Sequence, residues 1–337
     1  MALPYTSERL TPNPLRGTPL AADAGQLEAV AAFAPDRPAT PLVDAPSLAA
    51  RLGLAQLLIK DESSRWGLNA FKITGVSYAL SRLSTGTAFS RLVCASAGNH
   101  GRAVARAARD RGVRCRVHLP IDALPARVDA IRQEGADIAY AETYEQALAA
   151  AEADARAHGS LLLSDTSATP DGDSEARLPS FIMHGYMRVF IEAATQWPAQ
   201  PDAIIVQGGV GGLVGAASAW LATAALDATL IVAEPEGSAC LRASALAGAP
   251  VVLPSTAPTS MVCLRCARPS MAAWPWVSTG VDGFVTVSDR ETDAALSALA
   301  AEGIRSAPSG ACGLAAAMAL APELRDRTVL VIVTEGE

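Results

Sequence analysis

The chain has 337 residues, of which 50% are hydrophobic and 18% are charged, so it can form a large core in one large domain or two joined ones. Its formal net charge of -7 argues against a nucleic-acid partner, and the lack of a long basic run argues against a membrane partner. Although the chain has 27 basic residues, only Lys60 and Lys72 are lysines, and both lie in the segment LIKDESSRWGLNAFKITG.

The start of the chain, MALPYTSERLTPNPLRG, has no basic stretch followed by an apolar one, so we expect no secretory signal. The cysteines are scattered through apolar segments and do not form a small disulfide framework, which favours a reducing compartment. They are Cys94, Cys115, Cys240, Cys263, Cys266 and Cys312. We therefore predict a cytoplasmic protein.

Short apolar runs alternate with helical patterns along the chain. The runs predict strands at 57–60, 91–96, 114–119, 137–141, 160–165, 202–207, 228–234, 283–289 and 328–335. The helical patterns fall at 71–83, 101–112, 124–135, 143–158, 180–197, 212–226, 290–302 and 311–320. Apolar strands without alternation predict a mostly parallel α/β sheet covered on both faces. Two stretches are irregular: 166–179 is predicted to be a loop or domain crossover, and 254–282 a functional lid or substrate wall.

Lys72 opens the apolar helical pattern FKITGVSYALSRL. A lysine among apolar neighbours is expected to have a lowered pKa, and such an amine forms a Schiff base with an aldehyde cofactor, which arginine cannot do. The alternative is an ordinary surface lysine at the start of a helix. Composition alone does not separate the two interpretations.

The strand predicted to end at Ser96 leads into the turn SAGNHG, after which a helix begins. Such a turn exposes backbone N–H groups and a helix N-terminus, which bind an anion such as a substrate carboxylate. Ser96, Ala97, Gly98 and His100 are therefore candidate substrate-binding residues, and Asn99 is a candidate partner for a phenolic oxygen. For His100, the position at a helix N-terminus favours a structural role over that of a catalytic base.

Residues 203–226 carry no charge and are nearly long enough to span a bilayer. The glycines in this segment instead predict a buried strand, a turn and a buried helix, with an uncharged amide cradle for phosphate. They are Gly208, Gly209, Gly211 and Gly212. A strict G-x-G-x-x-G pattern fails here, but Glu234 lies about where a dinucleotide site has its ribose-binding acid. The loop therefore predicts phosphate without separating a monophosphate from a dinucleotide.

The C-terminal run TVLVIVTEGE places Thr334 at a strand end, where α/β sheets bind ligands. A hydroxyl partner there would leave a pyridine nitrogen largely unprotonated, which suits elimination at Cβ more than transamination; Ser309 is a second candidate. Cys263 and Cys266 form C-x-x-C, but no second pair or suitably spaced histidine accompanies them, so we expect no metal site. Two thiols in a wall or core are favoured over a redox dithiol.

Together these motifs resemble the fold type II family of pyridoxal-phosphate (PLP) enzymes, which includes threonine dehydratase, serine racemase and cysteine synthase. The lysine block KDESSRWGLNAFK, the turn SAGNH and the glycine loop QGGVGG occur in the family's order and approximate spacing. Several blocks resemble diaminopropionate ammonia-lyases in particular: the lysine block, GNHGRAVA, LPSFIMHGY and MVCLRCARPS.

The resemblance implies an α/β fold with two open, mostly parallel twisted sheets flanked by helices, and a cofactor between a large and a small domain. We expect 1–82 and 167–337 to form the large PLP-binding domain and 83–166 the small one. The resemblance also implies PLP as the cofactor, a small amino acid as the substrate and a homodimer as the assembly.

Several residues acquire roles from the same resemblance. Lys72 would be the Schiff-base lysine, Asn99 the partner of the phenolic oxygen, and the glycine loop the phosphate site. Thr334 would be the pyridine partner in preference to Ser309. Lys60 opens the family's lysine block and would be structural.

Diaminopropionate ammonia-lyases that use both enantiomers carry two aspartates, one for each face of the substrate. The position of the first, in a T-D-G-N-H turn, is Ala97 here, whereas the second is retained as Asp165, followed by Thr166. We therefore expect Asp165 or Lys72 to remove the α-proton of an L-amino acid and the D-side base to be missing. The alternative for Asp165 is a helix-capping or loop carboxylate.

The predicted reaction is α,β-elimination of ammonia from an L-amino acid such as 2,3-diaminopropionate, giving a 2-oxo acid (pyruvate) and ammonia. Alternatives with the same cofactor are a serine, threonine or 3-hydroxyaspartate dehydratase, a racemase, or a β-replacement synthase. A dinucleotide-binding oxidoreductase and a non-catalytic cofactor-binding protein are more distant alternatives.

Overall fold

The computed structural model describes residues 9–83, 89–167 and 177–337. These residues form two compact units. The larger unit contains 9–71 and 186–337, and the smaller unit contains 72–83, 89–167 and 177–185.

Each unit has its own sheet. In chain order the strands are β1 (Thr11–Pro12), β2 (Leu42–Asp44), β3 (Gln56–Asp61), β4 (Arg91–Ala95), β5 (Arg114–Pro120), β6 (Asp137–Ala141), β7 (Leu161–Leu162), β8 (Ala203–Gln207), β9 (Thr229–Pro235), β10 (Gly283–Val287) and β11 (Thr328–Val333).

Helices connect and cover these strands. They are α1 (Ala24–Ala32), α2 (Pro46–Leu52), α3 (Lys72–Ser81), α4 (Asn99–Asp110), α5 (Pro125–Gln133), α6 (Tyr144–His158), α7 (Leu178–Gly185), α8 (Met187–Gln196), α9 (Gly212–Thr223), α10 (Cys240–Ala247), α11 (Trp274–Gly280), α12 (Asp289–Ala301) and α13 (Pro308–Ala319). Single 3-10 turns occupy Arg65–Gly67 and Val262–Leu264.

The sheet of the larger unit has seven strands in the order β1-β10-β9-β8-β11-β3-β2. Only the short edge strands β1 and β2 pair antiparallel; the five strands between them are parallel. β8 and β11 are neighbours, so the glycine loop after β8 and Thr334 after β11 leave the same edge of the sheet. The central strands are buried on both faces, which explains their continuous apolar sequences.

The smaller unit has a parallel four-stranded sheet in the order β6-β5-β4-β7. β4 pairs with β7 in the register Val93 to Leu162, so both strands end at the same edge. The Ser96–His100 turn follows β4 and Asp165 follows β7. The sheet topology thus brings these residues to one place, and the predicted α/β fold with two mostly parallel sheets is confirmed.

Each predicted strand overlaps an observed one, and the uncharged segment 203–226 is a strand, a glycine turn and a helix, as expected. None of the described helices is long and apolar enough to cross a membrane. Two predictions were wrong in detail. The single helix at 180–197 is two helices that meet at Tyr186, and the irregular stretch 254–282 contains α11. α11 has the sequence WPWVSTG, whose weak helix formers hide it from periodicity; burial of Trp274 and Val277 stabilises it instead.

Lys60 is a buried structural residue in the larger unit. Its Nζ donates to Thr40 O at 2.7 Å and to Gln196 Oε1 at 2.8 Å, and it lies 3.4 Å from Glu192 Oε2. Burial lowers the pKa of Lys60, and the carboxylates of Glu62 and Glu192 partly oppose that change. The amine is enclosed by acceptors and is not exposed to solvent, as its structural assignment requires.

Lys60 belongs to a buried ionic network that ties β3 to α8. Arg65 donates to Glu62 Oε1 at 2.6 Å and to Glu192 Oε2 at 2.7 Å, and Arg188 Nε donates to Glu192 Oε1 at 2.7 Å. Glu192 therefore faces three cations, while the only other carboxylate in this network is Glu62. Such a network fixes the β3 end of the segment that leads to Lys72.

Candidate active site

Lys72 is the first residue of α3, and it forms an ion pair with Asp165. The Nζ donates to Asp165 Oδ2 at 2.7 Å, although the two residues are 93 positions apart in sequence. Their side chains are 22% and 19% exposed, so the pair is partly buried yet open to a small molecule. The amine predicted to attach a cofactor and the carboxylate predicted to act as a base are therefore in direct contact.

Asp165 is surrounded by groups that favour its ionised form. Burial by itself would raise the pKa of Asp165, but the electrostatic influence of the nearby His100 and Lys72, with the hydrogen bond from Lys72, holds it well below its usual value. His100 Nδ1 lies 3.8 Å from Asp165 Oδ2. The carboxylate is thus available as a proton acceptor at neutral pH.

The Ser96–His100 turn has the predicted form. β4 ends at Ala95, Gly98 N–H donates to Ser96 Oγ at 3.3 Å, and α4 begins at Asn99. No side chain caps the N-terminus of α4. The first-turn N–H groups of a helix have no intrahelical acceptor, so this end can receive an anion.

The glycine loop lies in the larger unit and forms a compact amide cradle. Gly209 and Gly211 have φ values of 58° and 97°, which side chains rarely adopt. A Cβ on Gly208 would lie 2.6 Å from Glu234 Cγ, so that position also requires glycine. α9 starts at Gly212 without a side-chain cap, leaving its N–H groups available to a phosphate.

Glu234 packs against the glycine loop at Gly208. Its carboxylate accepts hydrogen bonds from the backbone N–H groups of Leu241 and Arg242, both at 2.9 Å, and the residue is 1% exposed. Because both oxygens are already bonded at the start of α10, Glu234 is not presented to a ribose. Glu234 therefore no longer favours a dinucleotide site.

Burial of Glu234 predicts a specific pH dependence of stability. Burial raises the pKa of Glu234 from 4.5 to about 7, against the opposing backbone hydrogen bonds. Between pH 4.5 and about 7 the unfolded chain loses this proton while the folded chain keeps it, so the free energy of unfolding falls as pH rises. The expected fall is roughly 3 kcal/mol, since a tenfold change in acid strength corresponds to about 1.4 kcal/mol.

Glu234→Gln should abolish this component. Urea unfolding of both proteins across the pH range measures it as the wild-type free energy minus that of the variant. Glu236→Gln, two residues away at an exposed position, is the matched control. If the free energy of unfolding had the same pH dependence in the wild-type protein and in Glu234→Gln, the prediction would be contradicted.

Thr334 and Ser309 both lie in the larger unit. Thr334 follows β11, is 5% exposed, and its carbonyl accepts from the N–H of Phe71, the residue before Lys72, at 3.3 Å. Ser309 Oγ accepts from the N–H of Cys263 at 3.1 Å, and Cys263 Sγ donates to Glu335 Oε2 at 3.2 Å. Cys263 therefore contacts Ser309 and the residue that follows Thr334.

None of the six cysteines forms a disulfide, and within the described ranges no group of three or more histidine, cysteine or acidic residues could hold a metal ion. Cys266 lies next to the glycine loop, with its Sγ 3.9 Å from where a Cβ on Gly209 would be.

The residues present fit PLP. The cradle at Gly208–Gly212 has the backbone form and lack of charge that a phosphate dianion needs beside a helix N-terminus. Lys72 has a partly exposed amine held by a carboxylate, which suits attachment of an aldehyde.

Sequence reasoning missed two features of this site. The first is the approach of His100 to Asp165, because these residues come from different strand ends and only the register of β4 with β7 joins them. The second is the contact of Cys263 with Ser309 and Glu335, which lie 46 and 72 positions away in sequence. No local pattern encodes either contact.

Comparison with known proteins agrees with the geometry. Residues 34–335 match the family model described as pyridoxal-phosphate dependent enzyme. The chain is 32% identical over 302 residues to diaminopropionate ammonia-lyase of Salmonella typhimurium, covering 80% of this chain and 72% of that protein.

Solved structures show the same similarity. Diaminopropionate ammonia-lyase from Escherichia coli, in complex with an aminoacrylate-PLP azomethine reaction intermediate, is 26% identical with a TM-score of 0.85, covering 97% of this chain and 93% of that one. Maize serine racemase is 27% identical with a TM-score of 0.83, covering 94% of each chain. With its amide cradle and its lysine–carboxylate pair, this chain belongs to the family of pyridoxal-phosphate dependent enzymes.

Proposed function

We propose that this protein is a PLP-dependent lyase that eliminates ammonia from Cβ of an L-amino acid such as 2,3-diaminopropionate, releasing a 2-oxo acid and ammonia. The observation that carries the proposal is the 2.7 Å pair between Lys72 Nζ and Asp165 Oδ2. This pair places an amine and an ionised carboxylate together, whereas position 97 of the neighbouring turn holds alanine. In this proposal Asp165 can transfer a proton, whereas Ala97 cannot.

In this proposal PLP is held by Lys72, by the glycine loop and by hydroxyl and amide partners. Lys72 supplies the amine that attaches the cofactor, and Asn99 bonds its phenolic oxygen. Gly208, Gly209, Gly211 and Gly212 bind the phosphate, and Thr334 or Ser309 faces the pyridine nitrogen. When bound, PLP supplies an electron sink that stabilises negative charge at Cα of the amino acid.

The chain's own groups handle substrate orientation and protons. The Ser96–His100 turn binds the substrate carboxylate through the N-terminus of α4. Asp165, or Lys72 after its release, accepts the α-proton. The amine that leaves Cβ must gain a proton, and Asp165 can return the α-proton that it has accepted.

The single acid predicts stereochemical preference. We expect L-2,3-diaminopropionate to be turned over at least about 100-fold faster than the D-enantiomer, because one missing proton-transfer group typically costs 10²–10⁴ in rate. Ala97→Asp should raise the D-activity while leaving the L-activity within a small factor. Release of 2-oxo acid from the two enantiomers measures both effects. Equal turnover of L and D by the wild-type protein would contradict the prediction.

A second candidate is a dehydratase or racemase acting on serine, threonine or 3-hydroxyaspartate. Ala97 favours this candidate, because threonine dehydratases also have alanine at this position of the turn. The similarity to maize serine racemase also favours it. A β-replacement synthase is a further variant. Assays of 2-oxo acid release from a panel of amino acids, with and without a thiol or amine acceptor, separate these activities.

We also propose that the protein is cytoplasmic and acts as a homodimer on a small amino acid, without nucleic-acid or membrane partners. Six cysteines that form no disulfide support a reducing compartment. Light scattering of the purified protein, compared with the 34.6 kDa chain mass, tests the dimer. A mass equal to that of one chain at working concentrations would reject it.

A further inference from the structure

His100 is held in a fixed orientation at the start of α4. Its Nε2 lies 3.1 Å from the carbonyl oxygen of Leu163, and the side chain is 5% exposed. A carbonyl oxygen can only accept a hydrogen bond, so Nε2 carries the proton in this contact. In the neutral ring Nδ1 is then an acceptor with a free lone pair.

The lone pair on Nδ1 faces Asp165. Among the described residues Nδ1 has no hydrogen-bond partner, although it is buried, and its nearest acid is Asp165 Oδ2 at 3.8 Å. A buried polar atom without a partner is costly, so its retention next to a reactive carboxylate indicates a use. Contacts of this length commonly tighten when substrate binds.

Within the described ranges, few other titratable groups face His100 and Asp165. Lys72 on α3 bonds Asp165 directly, and the thiol of Cys94 on β4 lies close enough to Asp165 that the carboxylate helps raise the pKa of the thiol, after the larger effect of burial. Cys115 on β5 also acts on the Cys94 thiol. Other titratable groups near α4 interact elsewhere, including Tyr78, which faces Arg82; His118, which pairs with Asp154; and Glu134, which pairs with Arg102, Arg106 and Arg109.

We propose that His100 is a positioning residue that stores the substrate α-proton on Nδ1 and returns it through Asp165. This inference rests on the proposed function. The Cα–H bond breaks and Asp165 accepts the proton; the proton then passes from Oδ2 to Nδ1, giving an imidazolium beside a carboxylate. On return it passes through Asp165 to the amine leaving Cβ, so His100 and Asp165 end in their starting forms and no external acid is consumed.

Two variants separate proton storage from simple support. His100→Gln keeps a donor for Leu163 O but cannot bind a proton, whereas His100→Asn also loses that hydrogen bond. Storage predicts that kcat falls about 100-fold in both variants with little change in KM, and that the pH profile of kcat differs from that of the wild-type protein. If His100→Gln retains wild-type kcat and pH profile, His100 is only structural and the proposal fails.

A spectroscopic measurement tests the coupling independently of turnover. Imidazole nitrogen NMR of the holoenzyme has only four histidines to resolve, and the signal lost in His100→Gln identifies His100. Asp165→Asn should change the Nδ1 chemical shift of His100, because the ring loses the carboxylate that lies 3.8 Å from Nδ1, and should leave the other histidines unchanged. An unchanged Nδ1 signal would overturn the proposal. This outcome is distinct from a failed elimination assay, which would reject the proposed function instead.

Discussion

Replacing Lys72 by alanine is expected to remove covalent attachment of PLP and to lower turnover by at least about a thousandfold. Lys72 and Lys60 are the only lysines in the chain, and Lys60 is buried in a network of acceptors. Reduction of the yellow holoenzyme with borohydride, followed by peptide mass spectrometry, should therefore place the label on Lys72 alone. Label on Lys60, or wild-type turnover by Lys72→Ala, would contradict the assignment.

Lys72→Arg is the matched control for this experiment. It keeps a positive charge beside Asp165, where the wild-type ion pair spans 2.7 Å, but a guanidinium cannot attach an aldehyde. Both variants should lack covalent cofactor, while Lys72→Arg retains the ion pair. Loss of activity in both, with folding preserved in Lys72→Arg, assigns the effect to attachment and not to the charge.

Replacing Glu192 by glutamine should lower the free energy of unfolding of the larger unit by about 3–5 kcal/mol. Glu192 accepts from Lys60, Arg65 and Arg188, and the variant leaves these cations with Glu62 as the remaining carboxylate of the network. The loss should shrink at alkaline pH, because burial already lowers the pKa of Lys60 and a neutral amine removes one of the excess charges.

Urea unfolding followed by tryptophan fluorescence measures this effect. All five tryptophans lie in the larger unit, so their emission reports on that unit and not on the smaller one. Glu236→Gln, an exposed change in the same unit, is the control and should cost less than about 1 kcal/mol. Equal effects of the two substitutions would show that the buried network contributes no more than a surface charge.

Much of the fold could be predicted because parallel strands that are covered on both faces have continuous apolar sequences. β8 and β11 are continuous apolar runs, and the glycine turn after β8 is required by positive φ at Gly209 and Gly211. Helix α11 escaped prediction because packing, and not helix propensity, stabilises it. The break between α7 and α8 at Tyr186 follows Gly185, but a single glycine inside a helical pattern is a weak local signal.

The residues of the candidate site could likewise be predicted from the sequence, whereas the contacts between them could not. Lys72 and the glycine loop stood out from local chemistry, and Asp165 from resemblance, but the contact between Lys72 and Asp165 depends on how α3 and the end of β7 come together. The orientation of His100 depends on the carbonyl of Leu163, 63 positions away in sequence. Long-range register created these contacts, so single-sequence patterns could nominate the residues but not their geometry.

The measurement that tests the central claim most directly is the ratio of ammonia to pyruvate released from L-2,3-diaminopropionate by the purified holoenzyme. Elimination from Cβ followed by hydrolysis consumes one water and releases two molecules of ammonia for each pyruvate, whereas dehydration of serine releases one. We predict a two-to-one ratio from L-2,3-diaminopropionate, at a rate well above that of serine or threonine. Absence of pyruvate from this substrate, with efficient turnover of serine or threonine, would contradict the assignment as an ammonia-eliminating lyase.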